Sequence, residues 1–305
     1  MMIFEAILLT IITAATPLLL AAIGEVVVER SGVLNLGVEG MMIMGAATGF
    51  AVAILTGSSL LGVMAGLFAG MAMSLLFAAL VLGLAANQVA SGLALTIFGL
   101  GLSGLVGFPF VGAKREAMAH LYLPYLSDLP FFGRVIFGQD PLVYIAFALA
   151  LAVALIIGRT RAGLVLRAVG ENHHSAHALG HNVRQVRLLA ILFGGACAGL
   201  AGAYLSLVYT PFWTPGMTAG RGWIALAIVV FASWRAGRAV IGAYLFGGVS
   251  ILQLHAQGFG LGVPAQALAA LPYLTTIIVL FALSRLPRGS SRAPACLGQP
   301  FLPAR

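Results

Sequence analysis

Charged side chains are scarce in this sequence, since Asp, Glu, Lys and Arg make up only 8% of its 305 residues. Soluble domains carry roughly a quarter charged residues, so the composition excludes an ordinary soluble protein. Hydrophobic residues make up 61%, and the mean hydropathy is +1.07. The apolar residues form long continuous runs, unlike the short alternating segments of a β-barrel. The composition therefore predicts an all-α polytopic membrane protein.

Lysine and cysteine are nearly absent as well. The one lysine, Lys114, lies in Gly-Ala-Lys-Arg, which is not the phosphate-binding loop G-x-x-x-x-G-K-[ST]. Cys197 lies inside an apolar run and Cys296 near the C-terminus, so neither a disulfide framework nor a metal site is expected. No recognisable catalytic Ser/His/Asp or Cys/His arrangement stands out. We expect no cofactor in this chain, and any ATP and Mg must be bound by a partner.

Nine apolar segments are candidates for membrane spans, which need about 20 residues each. They are 3–23, 36–55, 60–84, 89–108, 141–158, 188–209, 222–234, 239–256 and 271–286. The segment 222–234 is short, which predicts a re-entrant or tilted half-helix. We expect about 8–10 transmembrane helices, some of them broken. A faint likeness between 57–70 and 237–248 fits a weak inverted repeat.

The net charge of +8 is concentrated between apolar runs and at the C-terminus. The positive-inside rule explains this placement, so no nucleic acid partner is expected. It predicts that the basic loop 159–187, the short basic segment 235–238 and the tail 289–305 are cytoplasmic. The mixed-charge loop 109–140 is then extracytoplasmic, and residues 1–288 form a single transmembrane domain.

A polar stretch at 24–45 interrupts the apolar sequence near the N-terminus. It carries Glu25, Glu29, Arg30, Asn35 and Glu39, interspersed with Gly32, Gly37 and Gly40. Charged residues at membrane depth usually face a bundle interior or a water-filled path. Two interpretations follow: a broken membrane helix that lines a passage, or a cytoplasmic loop with solvated charges.

The basic loop contains a short helix signal. Asn172 is a plausible N-cap and Gly180 a plausible C-terminal stop, which predicts about two turns of helix. It is either a rigid peg that docks on a partner or a loop at the lipid surface. Histidines recur at 173, 177 and 181, but Gly180 should end the helix before the last of them, so polar surface residues are favoured over a metal site. The glycines of 99–104 match G-x-G-x-x-G but lie inside a span, where helix packing explains them better.

Several motifs resemble one known family. "ERSGVLNLGVEGMM" at 29–42 resembles the signature of permease subunits in ABC importers of the simple-sugar, nucleoside and branched-chain amino-acid class. The resemblance continues at 87–92, 167–183, 198–231 and 292–301. It is strongest to the shorter permease of nucleoside uptake systems that use a basic-membrane-protein-type lipoprotein. Cys296 and Gln299 depart from the expected tail, as does the His-rich filling of the basic loop.

The resemblance implies a plasma-membrane importer, in the bacterial inner membrane, with three kinds of partner. These are a second permease, a cytoplasmic ATP-binding subunit and an extracytoplasmic substrate-binding lipoprotein. It implies that the ATPase-coupling segment is Glu171, Asn172, His173, His174, Ser175, Ala176, His177, Ala178, Leu179 and Gly180. It also implies translocation-path residues: Glu25, Asn35, Glu39, Asn87, Arg221 and Trp223.

Two other classes remain as alternatives at this stage. An ion-coupled secondary transporter would use Glu25 and Glu39 as titrating groups and need no ATPase. A membrane-embedded enzyme would need a cluster of catalytic acids or histidines inside the spans. Within the importer class, nucleosides are the expected small-molecule substrate and simple sugars the alternative.

Overall fold

The computed structural model describes residues 2–119, 121, 133–258, 264, 267–268, 270–284 and 293–302. Its helices are α1 Met2–Arg30, α2 Val38–Thr56, α3 Ser59–Ala78, α4 Gln88–Gly107, α5 Pro141–Arg159, α6 Arg161–Glu171, α7 His173–Ala178, α8 Val183–Tyr204, α9 Arg221–Phe231, α10 Ala236–Gly258 and α11 Leu271–Ser284. Single π-helical turns extend α3 through Ala79–Gly83 and α8 through Leu205–Tyr209. The described residues contain no β-strand, and the all-α prediction is confirmed.

Seven helices are long and apolar enough to cross a membrane by length and composition. They are α1, α2, α3, α4, α5, α8 and α10. The eighth apolar helix, α9, has 11 residues and is therefore about 16 Å long, roughly half of the hydrocarbon thickness of about 30 Å. The prediction that the segment 222–234 is too short for a full crossing is confirmed. The ninth, α11, has 14 residues.

Helices α2 and α8 form the centre of the bundle. Of the residues in their most apolar windows, 78% and 72% are buried, against 28% for α5 at the periphery. Close approach explains this packing, because Gly45 of α2 lies against the backbone of Gly199, and Gly202 lies against the carbonyl of Met42. A Cβ at either α8 glycine would collide with backbone atoms. No hydrophobic effect drives helices together in lipid, so their association depends on close van der Waals packing, which small residues permit.

The G-x-G-x-x-G match at 99–104 is only partly explained by helix packing. Gly99 lies in α4 against the backbone of Gly40, as expected for a helix contact. Gly101 and Gly104 face open space in the described structure. The run is helical throughout, so it lacks the strand and turn that a dinucleotide site requires.

The basic segments meet at one end of the bundle, here named the arginine-rich end. It comprises the turn after α1, helices α6 and α7, the start of α10 and the tail 293–302. Cys296 N–H donates to Gly170 O at 2.9 Å, and Arg30 Nε donates to Trp234 O at 3.0 Å. These contacts place 159–187, 235–238 and the tail on the same side, as the charge distribution predicts.

The loop 109–140 reaches the opposite end. Arg115 Nη2 donates to Gly57 O at the C-terminal end of α2, at 3.1 Å, and Met118 N–H donates to Leu207 O at 3.1 Å. The described part of this loop therefore lies away from the arginine-rich end. Residues 120 and 122–132 lie outside the described part of the chain. Helix α3 ends and α10 begins at the arginine-rich end, so the two segments of the proposed inverted repeat run in opposite directions.

Candidate functional site

The polar stretch near the N-terminus is a broken pair of helices buried in protein. Helix α1 continues through Glu25 and Glu29 to Arg30, seven residues beyond the predicted end of the first span. Gly32, with φ +86°, turns the chain out of the helix, and α2 begins at Val38. Both glutamates are at most 2% exposed, and Asn35 is fully buried. The interpretation as a solvated loop is therefore wrong.

Glu25 and Asn35 connect the two sides of this break. Asn35 Nδ2 donates to Glu25 Oε1 at 2.8 Å, and Gly37 N–H donates to Asn35 Oδ1 at 3.0 Å. The second carboxyl oxygen of Glu25 has no hydrogen-bond partner in the described structure. Non-helical backbone at membrane depth is tolerated when protein covers it and forms hydrogen bonds with its polar groups. The Asn35 side chain forms one of these bonds, with the N–H of Gly37.

Glu39, in the first turn of α2, clamps the start of the half-helix α9. Its Oε1 accepts from Thr218 Oγ1 at 2.5 Å and from Gly220 N–H at 2.9 Å. Its Oε2 accepts from Gly222 N–H at 2.7 Å. The free N–H groups and the dipole of a helix N-terminus favour an anion there. A buried carboxylate thus fixes α9 to α2.

The other end of α9 is fixed by α1. Ser233 and Trp234 follow α9 in the left-handed region, with φ of 51° and 56°, which non-glycine residues rarely adopt. Trp234 Nε1 donates to Glu29 Oε2 at 2.5 Å, while Arg30 donates to the carbonyls of both turn residues. Glu29 and Arg30 therefore hold a strained turn in place. Sequence reasoning identified them as charged but not as partners of 233–234.

Arg187, near the start of α8, joins three segments at the arginine-rich end. It is fully buried. Its Nε donates to Ser31 O at 3.2 Å, its Nη1 donates to Gln299 O at 3.0 Å, and its Nη2 lies 3.1 Å from His173 Nδ1. One guanidinium thus connects the break after α1, the tail and helix α7.

Helix α7 has the ends that the sequence predicts. Asn172 Oδ1 accepts from Ser175 N–H at 2.9 Å, and Gly180 has φ +88°, so both capping predictions are confirmed. The preceding helix α6, Arg161–Glu171, was not predicted. His173 faces inward and is 2% exposed, whereas His174 and Leu179 are exposed. The helix therefore has an anchored inner face and an open outer face.

His173 is held as a neutral ring. Burial, with smaller contributions from Arg187 and His174, lowers the pKa of His173 to about 4. Because Arg187 donates toward Nδ1, this nitrogen is the acceptor and the proton resides on Nε2. A nitrogen occupied in this way does not bind a metal, and His181 lies beyond the end of α7.

The tail is a packed part of the arginine-rich end. Phe301 is 8% exposed and lies against Val169, Ala176 and Val183. The ring centroids of His173 and His177 lie 5.3 and 5.4 Å from that of Phe301. The tail backbone also bonds to Gly32 and Gly170. Residues 289–292 and 303–305 of the predicted tail lie outside the described residues.

Three predicted path residues lie at the surface or at helix starts. Asn87 is exposed and caps α4 through Ala90 N–H at 3.0 Å. Its neighbour Gln88 is the buried one, bonded to Leu34 N–H at 2.7 Å and to Gln299 O at 3.3 Å. Sequence reasoning did not identify Gln88, because only its partners distinguish it from Asn87.

Arg221 and Trp223 open α9. Arg221 Nη1 donates to Met217 O at 3.1 Å, and its guanidinium lies 5.4 Å from the ring centroid of Tyr209. Trp223 is 37% exposed on the side of the bundle. Both residues therefore flank Gly222, which donates to Glu39 at the start of α9.

A multi-pass helical bundle with broken helices and a structured basic end defines a polytopic helical membrane protein. Residues 7–282 match the family model of the permease component of branched-chain amino acid transport systems, and the chain belongs to this family. No solved structure matches the chain.

Three curated relatives cover nearly the whole chain. TsgC13 of Haloferax volcanii, described as a candidate glucose ABC transporter permease, is 41% identical over 95% of both chains. The guanosine ABC transporter permease NupQ of Bacillus subtilis is 32% identical, over 94% of this chain and 93% of its own. The nucleoside ABC transporter permease NupC of Lactococcus lactis is 31% identical, over 87% and 88%. The chain is thus an ABC transporter permease of the sugar and nucleoside class, which disfavours the ion-coupled and enzymatic alternatives.

Proposed function

We propose that this chain is the membrane subunit of an ATP-driven importer in a bacterial inner membrane, and that α7 couples ATPase closure to the spans. The observation that supports this most strongly is the anchoring of α7. Its two ends are capped, its inner face is locked by His173 to Arg187, and its outer face is exposed. A capped helix with an open face is suited to insertion into a groove on a partner.

The contacts supply a route for force from α7 to the broken helices. Arg187 joins His173 to Ser31 O at the break between α1 and α2. The break is in turn bonded through Asn35 to Glu25. A push on α7 therefore reaches the end of α1 through direct hydrogen bonds, without passing through a flexible loop.

The half-helix α9 would follow the same movement. Glu39 holds its start, and Glu29 and Arg30 hold its end. Since α1 and α2 grip α9 at both ends, a shift at their break should tilt α9 as a unit. Arg221 and Trp223, at the start of α9, are the residues that we expect to meet the solute. In this proposal Glu25, Asn35 and Glu39 position the path, and exposed Asn87 lies at its cytoplasmic opening.

Nucleosides are the proposed substrates, and the two nucleoside-related permeases support this choice. A glucose-type sugar is the second candidate because of the 41% identity to TsgC13. Both kinds of solute carry a polyhydroxylated ring. A cytoplasmic ATP-binding subunit, an extracytoplasmic substrate-binding lipoprotein and a second permease complete the proposed assembly, and ATP and Mg bind to the ATPase.

The coupling proposal is tested with Leu179→Asp. Leu179 is 78% exposed at the end of α7, so the substitution removes no buried contact and leaves folding intact. We expect uptake and substrate-stimulated ATP hydrolysis by the assembled transporter to fall about tenfold or more, as a buried interfacial charge costs several kcal/mol. Leu84→Asp, at a residue 76% exposed in the connection between α3 and α4, is the matched control. Full uptake in Leu179→Asp would refute the coupling role.

The substrate proposal is tested by uptake of radiolabelled guanosine and glucose in cells with and without this chain. Chain-dependent guanosine uptake that other nucleosides inhibit supports the nucleoside assignment. Chain-dependent glucose uptake alone would replace it with the sugar assignment, and the coupling role would stand unchanged.

A further inference from the structure

A basic cavity lies at the arginine-rich end, between α5, α6 and the start of α10. Its volume is about 300 Å³, at the lower end of the range of small-molecule sites, roughly 300–1,000 Å³. Three arginines line it: Arg30, Arg167 and Arg235. The coupling route through Arg187 does not use this cavity.

The positive charge of the cavity is not neutralised by the described residues. None of its three guanidinium groups lies within 4.0 Å of a carboxylate in that part of the chain. Arg30 donates to the carbonyls of Ser233 and Trp234, and Arg167 Nε donates to Gly163 O at 3.4 Å. Glu171 acts on Arg30 electrostatically from beyond ion-pair distance. Three like charges around one space repel each other, so an anion would stabilise the cavity.

The ends of three spans set the depth of the cavity. Arg30 is the last residue of α1, Gly158 lies in the last turn of α5, and Ala236 is the first residue of α10. Helix ends of this kind lie at the level of the lipid headgroups. The first N–H groups of α10 have no intrahelical acceptor and add a positive dipole. Arginines from three segments and the positive end of the α10 dipole therefore converge at the depth of the lipid phosphates.

One wall of the cavity is apolar and belongs to a lipid-facing helix. It consists of Val153, Ala154, Ile157 and Gly158 of α5. The neighbouring side chains Leu151, Leu155 and Ile156 are 63%, 42% and 47% exposed. An amphiphile could thus place its phosphate among the arginines and its acyl chains along α5.

We propose that this cavity binds the phosphate group of an anionic phospholipid from the cytoplasmic leaflet. Guanidinium groups match phosphate in planar, bidentate geometry, and basic pockets between transmembrane helices bind anionic headgroups. A soluble phosphate would use the same arginines, but it would gain nothing from the apolar wall. The position at the ends of the spans favours the lipid.

The test is native mass spectrometry of the delipidated full-length chain with phosphatidylglycerol and with phosphatidylcholine of the same acyl chains. The binding of inorganic phosphate and of the ATPase subunit is measured on the same variants. Arg167→Gln with Arg235→Gln removes two cavity charges and retains Arg30, which holds the turn at 233–234. We expect the affinity for phosphatidylglycerol to fall roughly thirtyfold, from about 1 kcal/mol for each arginine. Arg159→Gln with Arg161→Gln is the matched control, because it removes the same charge from exposed positions outside the cavity.

A loss of affinity for phosphatidylglycerol in Arg167→Gln with Arg235→Gln, with little change in affinity for phosphatidylcholine, supports the proposal. An equal loss in the control variant would overturn it, because general surface charge would then explain the binding. Loss of inorganic phosphate binding with unchanged lipid affinity would overturn the lipid assignment. Loss of ATPase-subunit binding with unchanged lipid affinity would show that the cavity is a protein interface instead.

Discussion

Arg187 Nη2 and His173 Nδ1 lie 3.1 Å apart in the protein interior, where a guanidinium donates to a neutral imidazole. This contact joins α8 to the proposed coupling helix. The same guanidinium also holds the end of the α1 break and the tail. Helix α7 is therefore attached to the membrane domain through one side chain as well as through the backbone.

Replacement of Arg187 by methionine should destabilise the protein more than other arginine replacements. Arg187→Met preserves apolar volume but leaves Ser31 O and His173 Nδ1 without a donor, and leaves Gln299 O with the donor of Gln88 alone. We expect a loss of about 3 kcal/mol, because hydrogen bonds to charged groups contribute roughly 1.5–3 kcal/mol each. Denaturant unfolding in mixed micelles measures it. Arg184→Met, at an exposed position one turn earlier, is the control, and equal stability of the two variants would contradict the role of Arg187.

The neutral state of His173 predicts a pH dependence of stability. The pKa of His173 is lowered from 6.5 to about 4, so between these values the unfolded chain binds a proton that the folded protein does not. Stability should therefore be fully present above pH 6.5 and decrease as the pH falls from 6.5 toward 4. Thermal unfolding across this window measures the slope. His173→Gln should flatten it and His174→Gln should not; an unchanged slope in His173→Gln would refute the assignment.

Local features of the site could be predicted from the sequence, whereas long-range ones could not. Asn172 and Gly180 act on their own helix ends, so their residue types suffice to place α7. Helix α1 was predicted too short because Glu25, Glu29 and Arg30 end the apolar run without ending the helix. Burial in protein satisfies these groups, and no local signal in the sequence reports it.

The connections of Arg187 are the clearest example of what sequence reasoning missed. Its partners Ser31 and Gln299 are 156 and 112 residues away. Its position in a run of basic residues indicated a cytoplasmic surface, yet it is fully buried. The packing of the tail was likewise not predicted, because the contacts of Phe301 with Val169, Ala176 and Val183 join residues far apart in the sequence.

Phe301 should control whether the tail stays packed. Phe301→Ala removes the ring that lies between His173 and His177, at a cost of about 2 kcal/mol, less than the roughly 3–5 kcal/mol of a closed core. Cys296 lies in the tail and is 8% exposed, so its reaction with a thiol reagent reports the detachment of the tail. In a Cys197→Ala background, maleimide labelling of Cys296 should accelerate roughly thirtyfold, because labelling follows the opening equilibrium.

Leu302→Ala is the matched control for the tail. Leu302 is 61% exposed, so its truncation should leave the labelling rate within about twofold of the parent, as expected for exposed substitutions within ±0.5 kcal/mol. Similar acceleration in both variants would mean that Phe301 does not anchor the tail. Rapid labelling of the parent protein would show that the tail is unpacked in solution.

The Glu39 clamp should be sensitive to loss of charge alone. In Glu39→Gln one carboxyl oxygen becomes an NH₂ group, which cannot accept from the donors on its side. These donors are either Thr218 Oγ1 with the N–H of Gly220, or the N–H of Gly222. We expect about 2 kcal/mol of destabilisation, from an unpaired buried donor and the lost helix-terminus charge. Uptake should fall as well, because the start of α9 is released from α2. Thermal unfolding and transport measured on the same preparation test both effects.

A carboxylate at the surface provides the comparison for this variant. Glu116→Gln changes the same charge in an exposed loop residue and should alter stability by no more than about 0.5 kcal/mol. If Glu39→Gln matches it in both stability and uptake, the clamp does not hold α9. If stability falls while uptake is retained, Glu39 supports the fold but does not position the path. A loss of both, absent in Glu116→Gln, is the expected result, since the three hydrogen bonds that Glu39 accepts join α2 to the start of α9.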